Sequence, residues 1–165
     1  MISSFDQIIA DDKVEALFLF IKGNLDETNT DAWIHGFDPI IESWLDGFSE
    51  SEWNLLEAEV LNWNEDILIH IAIPILLKAP RYANGDLIFA KIFLQIDHLD
   101  YQLYLVSDIH GLTGIPDGKC EISWYNELKD KVINLKSVFG SDYYYGLEYI
   151  DLKIKTETEY RASLI

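Results

Sequence analysis

Two short stretches, "QIDHLD" and "SDIHG", put Asp97, His98, Asp100, Ser107, Asp108 and His110 within a few residues of one another. Carboxylates interleaved with imidazoles are the groups that hold divalent metals and pass protons. If Asp97, His98, Asp100 and His110 converged, they would make a small metal-dependent enzyme. The spacing argues otherwise, because neither stretch matches a nucleophile elbow, a two-histidine zinc helix or a phosphate loop. Asp-rich clusters of this kind cap helices, which is how both are read. "GLTGIPDGK" has glycines and a lysine but not the Walker spacing, so it reads as a turn. The acid pairs Asp11-Asp12, Glu50-Glu52 and Glu57-Glu59 read as a solvated face, since nothing marks any pair for burial. No catalytic residue, metal ligand or cofactor is therefore assigned.

The other two histidines lie in a repeated phrase. Ile34, His35, Pro39 and Ile40 recur as Ile69, His70, Pro74 and Ile75, and Asp31 recurs as Asp66 in the same 35-residue frame. A further shift of 34 brings Asp66, Ile69, His70 and Ile75 onto Asp100, Leu103, Tyr104 and Ile109, so the acid and the apolar positions persist while His and Pro do not. What repeats is a helix with an acidic cap. His70 stands among Ile and Leu with no thiolate or carboxylate at ligand spacing, so both histidines are read as core or turn residues. Inside a helix Pro74 leaves the carbonyl of His70 without its donor, and a kink is expected. At the first copy Gly36 and Asp38 predict a break, with Pro39 restarting a helix.

These residues must be carried by helices, because apolar positions recur at three and four rather than at two. The expected fold is all-α, about seven or eight helices stacked as antiparallel hairpins. A first helix starts at Ser3 and Ser4, uses Phe5, Ile8, Ile9, Val14, Leu17, Phe18 and Ile21 as its stripe, and stops near Gly23. Thr30 or Asp31 caps the next. Ser49 with Glu52 forms a capping box ahead of Trp53, Leu56, Val60 and Trp63. Residues 67–77 are apolar on every side, which predicts a central buried helix. Asn84-Gly85-Asp86 opens another, "YQLYLVSDIHGL" a further one, and Glu121 to Phe139 an amphipathic helix ended by Gly140. The tail fits strand or helix, and a helix from Asp142 to about Leu152 is expected. The organisation predicted is one helical domain over residues 1–155 and a polar tail over 156–165.

The balance of 29 Asp+Glu against 12 Lys+Arg gives a formal charge of −17. Such a surface repels nucleic acid and anionic membranes and attracts cationic proteins. Cys120 is the single cysteine, which excludes an internal disulfide and a thiolate zinc site. A reducing, cytoplasmic setting and a soluble chain are expected, since the start lacks a signal-peptide pattern and the longest apolar run is too short to span a bilayer.

Aromatic residues are the other compositional signal. Five Trp and nine Tyr exceed the needs of a modest helical core, and "SDYYYGLEY" sets Tyr143, Tyr144, Tyr145 and Tyr149 beside Asp142, Glu148 and Asp151. Rings as anchors with carboxylates as steering charge make a protein-binding patch; the competing reading has these tyrosines closing the core. The stretch "WNEDILIHIAIPIL" resembles the turn and second helix of HEAT-like repeats. A small, acidic, helical chain without catalytic motifs resembles the immunity proteins of bacterial polymorphic-toxin systems, including contact-dependent inhibition. That resemblance implies a protein that is not an enzyme and that binds and neutralises a cognate, basic, nuclease-like toxin domain. Asp38, Glu42, Asp46, Tyr101, Tyr104, Asp108, Tyr143, Tyr144 and Glu148 are the residues expected to bind the partner, with no nucleic acid or membrane involved and no oligomeric state assigned. The alternatives are the metal-dependent enzyme built on Asp97, His98 and His110, or a HEAT-like adaptor.

Overall fold

A computed structural model of the chain describes residues 12–165. Among these residues every regular element is helical and no strand occurs, so the all-α expectation holds. Ser3, Ser4, Phe5, Ile8 and Ile9 lie outside the described residues. The first described helix, α1 (Lys13–Lys22), opens at Asp12, whose carboxylate accepts the Glu15 N–H at 2.8 Å, the usual satisfaction of an orphan first-turn donor.

The break expected at Gly36 does not occur. α2 (Thr30–Ala32), a π-helical turn at Trp33–Phe37 and α3 (Asp38–Asp46) run on with right-handed helical dihedrals at both joins. The reason is Pro39, which has no N–H and crowds the preceding turn. The wider π turn relieves the crowding: the Asp38 N–H reaches back to the Trp33 carbonyl five residues earlier.

Both halves of the predicted capping box form ahead of α4 (Glu50–Glu59), which tightens into a 3-10 turn at Val60–Asn62. The Ser49 N–H donates to Glu52 Oε2 at 2.6 Å and the Glu52 N–H donates to Ser49 Oγ at 3.4 Å. Ser49→Ala should lower stability by about 1 kcal/mol, read as a fall in the urea midpoint at unchanged slope; an unchanged midpoint would show the box contributes nothing.

α5 (Glu65–Lys78) runs through Pro74 as one helix. Ile67, Leu68, Ile69, Ile71, Ala72 and Ile75 are all buried, as an all-round apolar helix demands. The capping residues correct the reading of the repeat. Asn29 accepts from the Asp31 N–H and Asn64 from the Ile67 N–H, so the repeated acids Asp31 and Asp66 sit in the first turn, where the helix dipole favours them. Asn29 and Asn64 share the 35-residue frame.

Asn84, at φ 49, accepts from Leu87 N–H at 3.1 Å and opens α6 (Gly85–Gln95). α7 (Leu99–Leu105) then tightens into a 3-10 segment at Val106–Gly114, where a longer α-helix was expected. α8 (Ile122–Phe139) matches its prediction, with Gly140 at φ 82 as the stop. α9 (Leu147–Ala162) begins later and runs further than expected, through residues read as a polar tail.

Of the described residues, 12–88 form one compact unit and Phe89–Ile165 a second. In the first, α5 packs on α1 and α3, and Phe20 meets Phe37 and Trp44 at ring separations of 5.9 and 5.0 Å. In the second, α8 packs on α9, and α9 on the 3-10 segment, around Ile109, Leu112, Tyr125, Leu128, Val132 and Ile150. Among the described residues no helix is long and apolar enough to cross a membrane.

Candidate functional site

The nine residues expected to bind a partner fall into separate groups. Asp38, Glu42 and Asp46, four apart along α3, form one row on its face. Lys78 of α5 lies 3.4 Å from Glu42 and 3.0 Å from Asp46, and its ammonium pKa is raised, chiefly by the hydrogen bond to Asp46. Asp38 at the head of the row is half-buried. Loss of water and the neighbouring Glu42 charge push its carboxyl up to about 6, so this acid takes up a proton just below neutral pH.

The remaining six belong to the second unit. Tyr101 is half-buried with its ring 4.5 Å from His98, and Tyr104 stands exposed. Asp108 accepts from Ser107 Oγ at 3.2 Å on the 3-10 segment. That segment packs on α9, which carries Glu148 in its first turn, and the His110 ring lies 6.2 Å from Tyr149. Tyr143 and Tyr144 are 49% and 48% exposed whereas Tyr145 is 4% exposed, so the tyrosine run is split between surface and core. Tyr145 turns inward and donates to the Gly140 carbonyl at 2.8 Å. Tyr144 turns outward and donates to Glu148 Oε1 at 2.7 Å. Its own ionisation is pushed up, first by desolvation and then by that carboxylate. The ring is thus about half exposed while its hydroxyl is tied to the first turn of α9.

Three of the five tryptophans, Trp33, Trp53 and Trp63, are buried, and Trp44 and Trp124 are half-buried. Five tryptophans looked like an excess because a core that stacks rings across helices consumes more of them than a Leu-based core. The histidines and acids that suggested a metal are not gathered either. His98 lies against Tyr101, and the His110 Nδ1 lies 3.2 Å from the Ser107 carbonyl. Among the described residues no three His, Cys, Asp or Glu side chains come together as a ligand set. Cys120 is half-buried, and burial raises its thiol pKa, which keeps it protonated and a weak nucleophile at neutral pH.

One buried polar network went unseen in the sequence. Lys153 is 4% exposed and Glu157 fully buried. The Lys153 ammonium donates to the Ile115 carbonyl at 2.6 Å and to Asp117, and it stands 5.9 Å from the Tyr125 ring centre. Glu157 accepts the Gly118 N–H and the Arg161 Nε–H, at 2.8 and 2.9 Å. Arg161 also donates to the Cys120 carbonyl and pairs with Glu121. Lys153, Glu157 and Arg161 are spaced four apart, a helical signal that the alternating pattern of the preceding residues concealed. Together they fasten the 115–121 loop onto α9.

No protein-family model, no curated protein and no solved structure matches this chain.

Proposed function

We propose that this chain is an immunity-type binding protein that captures a cationic, nuclease-like toxin domain and blocks its access to substrate. The carrying observation is the outward pair Tyr143 and Tyr144, with Tyr144 held by Glu148, in a chain of charge −17. Large rings fixed in place at a polar surface lose little freedom on binding and serve as anchors. The surrounding carboxylates raise the encounter rate with a basic partner and disfavour acidic ones. The α3 row of Asp38, Glu42 and Asp46 adds to the field that guides approach. The residues act by contact and charge, and the mechanism asks no bond-making of them.

The direct test mixes the purified chain with the C-terminal domain encoded by the adjacent gene and follows binding by calorimetry and the partner's nuclease activity. A one-to-one inhibited complex is expected, with affinity that falls as salt rises. Tyr144→Ala should weaken it about 30-fold, the effect of losing one anchor worth about 2 kcal/mol. Charge reversal of Asp38, Glu42 and Asp46 together should mainly slow association. Absence of a complex, or binding indifferent to both sets of changes, would overturn the proposal.

A further inference from the structure

The single cysteine of the chain stands beside a hydroxyl that lacks a strong acceptor. Tyr125 of α8 is fully buried. Among the described residues its hydroxyl is the one buried side-chain oxygen or nitrogen with no nitrogen or oxygen to bond to, and it lies against the half-buried Cys120 thiol. Sulfur is a weak acceptor, so the O–H is poorly satisfied where water is excluded. The charges felt at the sulfur are the ammoniums of Lys91 and Lys153 and the carboxylate of Glu157. Cys120 is itself fixed through its backbone, whose carbonyl accepts from Arg161 just ahead of α8. An oxygen atom added to the sulfur would supply the acceptor that Tyr125 lacks.

We infer that Cys120 is an oxidative-modification site whose sulfenic acid persists because Tyr125 donates a hydrogen bond to its oxygen. The oxidant is hydrogen peroxide. In its thiolate form the sulfur attacks one peroxide oxygen: an S–O bond forms, the O–O bond breaks, and the departing hydroxide takes up the thiol proton to leave as water. Sulfur gives up two electrons and peroxide accepts them. Burial keeps the thiol largely protonated, so the step is slow. Persistence comes from the surroundings. The chain has no second cysteine to close a disulfide, the half-buried sulfur admits a further oxidant slowly, and a sulfenate charge faces two ammoniums against one carboxylate. A sulfenic acid on an open thiol lacks this protection and passes on to sulfinic acid or a mixed disulfide.

The experiment treats the full chain with hydrogen peroxide, adds a sulfenic-acid-specific cyclic diketone after increasing delays, and follows the Cys120 peptide by mass, which keeps oxidation of Met1 out of the reading. A diketone adduct that still forms after long delays is expected, and a thiol reductant added before the probe should abolish it. Tyr125→Phe removes the donor and keeps the ring, and it should fold as the wild type does because the lost hydroxyl has no nitrogen or oxygen partner. Its sulfenic acid should decay to sulfinic acid about tenfold faster, the effect of one lost hydrogen bond to the product. Unfolding the oxidised wild-type chain in urea should shorten the lifetime at least as much, a comparison that needs no variant. Absence of an adduct in the native chain would overturn the inference, as would equal lifetimes in the native and unfolded chains. A lifetime shortened by urea but unchanged in Tyr125→Phe would mean that shelter alone protects the sulfur, and would overturn the role of the hydroxyl.

Discussion

Replacing Lys153 with Met should destabilise the protein by about 3 kcal/mol, seen as a lower denaturant midpoint and earlier loss of near-ultraviolet signal. The substitution keeps an unbranched chain of similar volume, so little cavity forms. What disappears is an ammonium that donates to the Ile115 carbonyl and to Asp117. Asp117 is part-exposed and can take up water again, which limits its share. Ile115 is 1% exposed, and its carbonyl loses its lysine donor where little water can replace it. A charged hydrogen bond contributes about 1.5–3 kcal/mol and an orphaned buried acceptor costs about 1–3; removing one partner of a buried pair costs about 3–5. Glu157→Gln should also destabilise: the amide oxygen can still accept from Gly118 N–H, but the NH2 in place of the other carboxylate oxygen then meets the Arg161 Nε–H donor against donor in a fully buried site. Wild-type stability in the Met variant would mean that the network does not hold the 115–121 loop on α9.

A second large effect should follow from pH and the ring stack in the first unit. His70 lies flat on Trp33, with ring centres 3.5 Å apart and planes inclined by 12°, and the Trp33 indole N–H is held by the Glu27 carbonyl. Burial lowers the His70 pKa to about 4, against a weaker opposing pull from Asp66. An unfolded histidine titrates near 6.5. The folded state therefore binds fewer protons between these values, so His70 withdraws stability as pH falls from about 6.5 to about 4. At roughly 1.4 kcal/mol per unit, the loss reaches about 3 kcal/mol at the lower limit and about 2 kcal/mol near pH 5.

Asp38 works in the opposite sense. Its folded pKa of about 6 stands above the ordinary 3.8, so the cost of burying its charge is present above about 6 and is relieved as pH falls. The two groups largely offset one another across the same window. His70→Phe, which keeps a ring against Trp33, should therefore gain stability relative to wild type by about 2 kcal/mol between pH 7 and pH 5. Asp38→Asn should lose a comparable amount over that interval. Parallel stability curves for wild type and both variants would refute the assignment of these protons.

The His70 case also indicates where the sequence ceased to be informative. Its apolar neighbours marked it as a core residue rather than a ligand, and it is half-buried against Trp33. Its contact, a tryptophan far back in the chain, could not be read from any local pattern. The tyrosine run behaves similarly. Composition marked it as either surface anchor or core closure, yet Gly140 and Gly146, both at positive φ, set the loop that sends Tyr145 inward and leaves Tyr143 and Tyr144 outside.

What the sequence determined by itself was everything governed by neighbours within a helical turn. The capping box at Ser49, the all-round apolar character of α5, the extent of α8 and the acidic field all follow from short-range hydrogen bonding, periodicity and charge count. The tertiary structure decided how Pro39 is accommodated, which tyrosines face water, that the apparent metal residues stay apart, and that the polar tail becomes a helix. The last depends on burial: Lys153 and Glu157 favour exposure in isolation, and only the carbonyl, carboxylate and amide partners brought by a distant loop offset the loss of water around their charges.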